Sequence, residues 1–450
     1  MKILNKAKKG SKELRFFKEE KDKAKDAINI KLELKEGREL RDMRILFRVA
    51  ISKAKSEGAL DISLDLEKLS DLSGISVDQL SHEALYQSFM ADYVFDKYKS
   101  KKEKRIKSMA LLGANKRVLN EALAQAKALE YARGLSNTPG ADMTPELLLK
   151  EAKKIAKKHK SLKLKAYGRK ELKKMGAGAL LAVGSASKHE PKLIVLEYKA
   201  AKKKATDIVF VGKGITFDTG GLDIKPAGKF KDMFLDMSGA ATVLALADLL
   251  AEKKLDKNLV FIIAAAENAI GSESYRPGDI IKTLSGKTVE VGHTDAEGRL
   301  VLADAIAYAK KYKSSLLVTL ATLTGAALVA LGQEANAIMS SDEEFAWLIR
   351  DWSEESGDYS WPLPLWQEYS NIMQGTFADL NNIQNKGGPY GGTVTAGAFL
   401  YEFAKESADI FLHIDMAPRM EAGPNDALPK AGGALGGPLR LLYDIVQKRA

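Results

Sequence analysis

From about residue 140 onward, apolar runs of strand length alternate with stretches of helical pattern, and few folds accommodate that order. Leu193–Tyr198, Ile208–Val211, Leu259–Ala265 and Leu316–Ala321 read as strands, and Leu259–Ala265 is apolar enough to be buried on both faces. Gly239–Ala251 and Leu300–Lys313 read as helices. The alternation predicts an α/β domain with a largely parallel central sheet covered by helices. Ligands of such sheets gather beyond the carboxyl ends of strands, and here Lys213 follows one predicted strand and Thr322 another.

At 450 residues the chain exceeds one ordinary core, so a second domain is expected. The first 125 or so residues are lysine-rich, with a predicted strand at Ile28–Leu34, a helix at Asp42–Glu57 and a strand at Leu60–Leu66. A long helix over Ala114–Leu135 ends in the turn cluster Asn137-Thr138-Pro139-Gly140. That places the boundary between a smaller N-terminal α/β domain, residues 1–135, and a larger domain, 136–450. Thr144 then caps a new helix whose first position is Pro145.

Several classes of chemistry are excluded by composition. With no cysteine, the chain has no disulfide, no thiolate zinc site and no cysteine nucleophile, which fits a reducing cytoplasm. Met1-Lys2-Ile3-Leu4-Asn5-Lys6 is basic but no apolar core follows, so a secretory signal is not expected. The apolar run Ser315–Gly332 falls short of the ~20 residues of a membrane span and reads as a buried strand, a loop and a small-residue helix. The formal charge of +11 is concentrated over Lys150–Lys174, where twelve basic residues face only Glu151 and Glu171. Such a run is either a solvated helix face with a lysine-guarded strand edge or a patch for nucleic acid or another polyanion. No aromatic interleaving supports the second reading.

The chemistry concentrates in His293-Thr294-Asp295-Ala296-Glu297-Gly298-Arg299-Leu300, where two carboxylates and a guanidinium stand at alternating positions. Carboxylates crowded on one side repel unless a cation lies between them, and oxygen-rich sites suit divalent metals. Further candidate ligands lie upstream in Gly212–Gly221 and Phe234–Met237. Familiar alternatives fail on single residues. Tyr86 stands where a zincin helix beginning His82-Glu83 needs its second histidine, and Ile281 where a phosphate loop ending Gly286-Lys287-Thr288 needs its first glycine. Phe217 replaces the third glycine of a dinucleotide fingerprint begun at Gly212, and there is no G-x-S-x-G elbow.

Lys213, Asp218, Lys225, Asp236, Asp295, Glu297 and Arg299, in that order and spacing, resemble the leucyl aminopeptidase (cytosol aminopeptidase) family of two-metal exopeptidases, peptidase family M17. The resemblance spans essentially residues 130–450 and includes Asn137-Thr138-Pro139, Leu181-Ala182-Val183-Gly184, Tyr275-Arg276-Pro277-Gly278-Asp279 and Ala321-Thr322-Leu323-Thr324-Gly325. It implies two divalent metal ions per subunit, manganese or zinc foremost. Asp218 and Glu297 would bridge them, Lys213 and Asp236 would complete the tighter site, and Asp295 the more exchangeable one. A lysine ligates only as the neutral amine, which two nearby dications would favour. It further implies attack by a metal-bridging water on the peptide carbonyl, Lys225 stabilising the oxyanion, and Arg299 holding a bicarbonate that relays the proton.

By the same resemblance, Met233, Thr322, Gly325, Ala417 and Met420 form an adaptable apolar pocket for a leucine-like N-terminal residue. His293 stands where the family usually has asparagine, bordering the pocket for the residue after the scissile bond. There it would alter preference, add a titrating group, join the metal shell, or replace asparagine neutrally. Pro418 and Arg419 also depart from commonly small residues. The resemblance implies a cytoplasmic homohexamer acting on short peptides, with a DNA-binding regulator or a scaffold on the same fold as alternatives.

Overall fold

The computed structural model describes residues 1–199, 205–385, 390–429 and 432–449. It divides into two compact units: Met1–Glu130 with Ala422–Gly433, and Tyr131–Glu421 with Ala434–Ala450.

The larger unit is built on an eight-stranded sheet. From one edge its order is Ser360–Pro362, Asn336–Ser340, Ala408–Asp415, Ser314–Ala321, Ile208–Asp218, Asn258–Asn268, Lys192–Lys199 and Leu162–Tyr167. The middle four strands run parallel. The flanks join antiparallel, Lys192–Lys199 on one side and Asn336–Ser340 on the other. The two central strands Ile208–Asp218 and Asn258–Asn268 are buried at nearly every position, as strands covered on both faces must be. One core layer packs Val209, Val211, Val260, Ile262 and Leu317 against residues of the helices Gly178–Val183, Glu297–Ala309 and Gly392–Ala404. On the other face lies Ser238–Lys253, whose small and aliphatic residues are buried almost throughout. With the preceding turn it is a 21-residue stretch containing an 18-residue window of mean hydropathy 1.6, apolar enough to cross a membrane, but 83% of that window is buried inside the protein as a core helix is.

Much of the basic run lies on solvated faces. In helix Pro145–Lys158, Leu148, Ala152 and Ile155 point inward while Lys153, Lys154, Lys157 and Lys158 are exposed. Thr144 caps it by accepting from Leu147 N at 3.3 Å. Lys158 pairs with Asp248 at 2.9 Å, and Lys165 on the edge strand pairs with Glu197 at 2.8 Å.

The smaller unit holds a five-stranded, wholly parallel sheet in the order Lys2–Leu4, Ser108–Leu112, Asp61–Asp65, Lys12–Phe17, Ala27–Lys31. Helices Glu39–Ser56 and Val77–Asp92 pack together through buried faces that include Met43, Phe47, Ile51 and Leu85. Between them Arg44 and Glu83 form a buried ion pair at 2.9 Å. Arg48 donates to Asp426 O at 2.9 Å and to its Oδ1 at 3.3 Å, fastening the 422–433 segment to this unit.

Candidate metal centre

The carboxyl ends of the parallel strands converge on one cluster of charge. Lys213 lies within the strand Ile208–Asp218 and Asp218 ends it. Asp236 sits in the short 3-10 turn Met233–Met237, and Glu297 opens the helix Glu297–Ala309. The backbones that carry them approach closely. A Cβ on Gly212 would lie 2.7 Å from Gly239 O, so glycine is required where strand meets helix.

Asp218, Asp236 and Glu297 are buried, and each offers an oxygen within 4.8 Å of the others. Lys213 threads among them, with its Nζ 2.8 Å from Asp236 and 2.8 Å from Glu297, and it donates to Thr322 O at 3.1 Å. Lys225 stands on the outer side, 2.7 Å from Asp218 and 2.5 Å from Asp295. Four carboxylates thus share two ammonium groups, which leaves a buried excess of negative charge that a divalent cation suits. Titration behaviour reflects the crowding. Burial, then repulsion from Glu297 and Asp218, pushes Asp236 well above the usual carboxylate range despite Lys213. Burial, with Asp218 and Glu297 nearby, pushes Asp295 up to about 7. Burial favours the neutral amine at Lys213, but Asp236, Glu297 and Asp218 outweigh it and hold the ammonium above the ordinary lysine range. Only added positive charge in the cluster would release that proton.

The turn Gly220–Asp223 and the loop that carries Asp295 are latched together. Thr294 Oγ1 donates to Gly220 O at 2.6 Å, and Thr294 N donates to Asp223 Oδ2 at 2.7 Å. Asn268 Nδ2 donates to both Asp218 Oδ1, at 2.8 Å, and Thr294 O, at 3.1 Å. Tyr275 adds a donor to Thr294 O at 2.7 Å. Tyr275 and Thr294 lie in stretches singled out above, but their latching role and Asn268 are not legible locally, because the partners lie 19 to 74 positions away.

Arg299 is buried and gives one hydrogen bond, from Nη1 to Asn382 O at 2.8 Å, while its Nε has no partner among the described residues. Burial lowers the guanidinium to about 10, against the attraction of Glu297 and Asp415. A cation desolvated with a donor unused fits a small planar anion. His293 is half-exposed and is not one of the buried side chains grouped with Asp218, Asp236 and Glu297. Its Nδ1 accepts from Asp295 N at 3.1 Å and lies 3.7 Å from Asp223 Oδ2, so the neutral ring carries its proton on Nε2.

Two segments that carry expected pocket residues meet at a second buried carboxylate. Asp415 accepts from Leu323 N at 3.0 Å, Thr324 Oγ1 at 2.6 Å and Ala417 N at 3.1 Å. This draws the Thr322–Gly325 loop to the 3-10 turn Ala417–Arg419, after which comes Met420. Thr322 is buried and donates to Asp236 Oδ1 at 2.6 Å. Met233, Ala417 and Met420 are half-buried and Gly325 is exposed.

Comparison with known proteins bears on this arrangement. Residues 130–443 match the model of the cytosol aminopeptidase family, catalytic domain. The chain is 42% identical over 368 residues to a probable cytosol aminopeptidase of Alkalilimnicola ehrlichii, covering 80% of this chain and 72% of that one. A probable cytosol aminopeptidase of Pseudomonas syringae is 39% identical over 420 residues, 91% of this chain and 82% of the relative. Among solved structures, the bottromycin maturation enzyme BotP in complex with Mn superposes with a TM-score of 0.83 at 30% identity, covering 94% of this chain and 90% of BotP.

Proposed function

This chain belongs to the cytosol aminopeptidase family, and on that premise we propose that it removes leucine-like, apolar residues from the N-termini of short peptides with two divalent cations. It is a leucyl aminopeptidase-type, metal-dependent peptidase. The observation that carries the finer reading is the buried trio Asp218, Asp236 and Glu297 wrapped around Lys213. Manganese is the first choice, since BotP was solved with it, and zinc the second.

In this reading Asp218 and Glu297 would serve both cations, Lys213 and Asp236 would complete one site, and Asp295 the other. When bound, the two cations would polarise the scissile carbonyl and acidify a water lying between them. Lys225, held against Asp218 and Asp295, presents its ammonium to the carbonyl oxygen as charge develops there. Arg299, with its Nε unused, would hold a bicarbonate, which when bound would supply a proton acceptor in place of a protein base. Met233, Thr322, Gly325, Ala417 and Met420 receive the N-terminal side chain, and methionine adapts its shape to leucine-like groups. His293 borders the place of the next residue and directs an Nε2 donor outward.

A cytoplasmic homohexamer belongs to the same proposal. The relatives are named for the cytosol, and exposed Trp347, Trp361, Trp366 and Phe377 give the larger unit aromatic surface of the kind buried at subunit contacts. The test is release of leucine from Leu-Gly with Mn2+ or Zn2+, with bound metal measured for the wild type and Asp236→Ala. Asp236→Ala should lose both metal and activity. Retention of both would overturn the assignment.

A further inference from the structure

We infer that Asn382 is a positioning residue for this centre: its buried carboxamide fixes the loop that carries Asp295 and leads into Glu297. The inference rests on the two-metal reading above. Residues 291–296 form neither helix nor strand, so the place of Asp295 is not set by a regular ladder. Thr294 ties the loop to the Gly220–Asp223 turn on one side. Asn382, fully buried, ties it on the other.

Its carboxamide uses every bond it can make. Oδ1 accepts from Gly292 N at 2.7 Å and His293 N at 3.2 Å, and Nδ2 donates to His293 O at 2.7 Å and Ala296 O at 3.3 Å. One side chain therefore holds the backbone on both sides of Asp295. Aspartate would lack the donors, leucine would lack everything, and glutamine would overreach by a methylene. The backbone of Asn382 is anchored independently, with N donating to Glu290 O at 3.0 Å and O accepting from Arg299 at 2.8 Å. Packing leaves the loop little slack. A Cβ on Gly292 would lie 2.5 Å from Asn381 Oδ1 and press on Ile383.

Because the backbone bonds survive substitution, Asn382→Ala and Asn382→Ser remove the loop's support and leave Arg299 held. Mn2+ binding by the metal-stripped full-length protein is followed by calorimetry, and Leu-Gly hydrolysis is measured over a range of Mn2+. The wild type should bind two ions. Both variants should bind the tighter ion within about threefold of wild type and the weaker one about 10–100-fold less well, the range seen when partners of ligands are removed. Hydrolysis should fall at low Mn2+ and recover at high Mn2+, which a general loss of structure would not allow. Equal weakening of both ions, or no recovery at saturating Mn2+, would overturn the inference. If Asn382→Ala does not fold, Asn382→Ser, with a hydroxyl donor and acceptor, gives the same comparison. A wild type that binds fewer than two ions would overturn the two-metal reading itself, whatever the variants do.

Discussion

Replacing Gly298 with alanine would place a methyl group 2.5 Å from Cε of Lys213 and 2.6 Å from its Nζ. Relief to ordinary contact needs a shift of about 1 Å. The lysine is buried, and its Nζ lies 2.8 Å from Asp236, 2.8 Å from Glu297 and 3.1 Å from Thr322 O. A shift of that size takes these contacts out of hydrogen-bonding range and leaves two buried carboxylates without their cation. Losing one partner of a buried ion pair costs about 3–5 kcal/mol. Alanine in place of a helical glycine returns about 1 kcal/mol. The metal-free protein should therefore lose about 2–4 kcal/mol, a fall in melting temperature of about 3–6 °C at the sensitivity of a domain this large. Thermal unfolding in chelator measures this, and calorimetry with Mn2+ should show weaker binding in parallel. Helix propensity alone predicts a change of the opposite sign. A Gly298→Ala protein as stable as the wild type, or more so, would refute the reasoning.

Lys225 shares Asp218 and Asp295 with any bound cation. Lys225→Ala should therefore keep its metal, at least as tightly, while turnover of Leu-Gly falls about 10²–10³-fold, as when an oxyanion donor is removed; near-normal turnover would contradict that role. His413 is fully buried, hydrogen-bonded to Thr319 at 2.8 Å, and lowered to about 3 by burial and then by the charge of Arg299. Its native state binds fewer protons than the unfolded one, so its stabilisation is present above pH 6.5 and is lost as pH falls toward 3. Between pH 7 and 5 the loss is about 2 kcal/mol. His413→Gln should flatten the acid limb of urea unfolding by that amount, and an unchanged slope would show that the ring does not stay neutral.

The long apolar elements were legible because period alone decides them: Leu259–Ala265 lies within the strand Asn258–Asn268, and Gly239–Ala251 within the helix Ser238–Lys253. The sheet's direction was only partly so. A largely parallel sheet was expected and the four central strands are parallel, but the alternation does not fix the flanks, where Lys192–Lys199 and Asn336–Ser340 join antiparallel. Asp218, Asp236 and Glu297 could be picked out because their order and spacing resembled those of a known family, and the structure brings them together. Asn268, Asn382 and the latching role of Thr294 could not. They are ordinary polar residues whose value lies in partners remote in sequence, and only the fold supplies those. Lys213 was expected as a neutral ligand, whereas with protein groups alone it is an ammonium in an ion-pair cluster, a state that depends on what else fills the cluster.

The excursion at 422–433 makes the chain's modularity a matter of threading. The polypeptide crosses from one unit to the other three times, near residues 130, 421 and 433, rather than once. A fragment cut at Tyr131 would keep Asp426 but lose Arg48, and so strand a strap whose anchor was left behind. In recombination or domain grafting, the lysine-rich unit is therefore not a detachable leader. It can be exchanged only together with the twelve-residue loop that comes back to it, and that loop begins two positions beyond Met420.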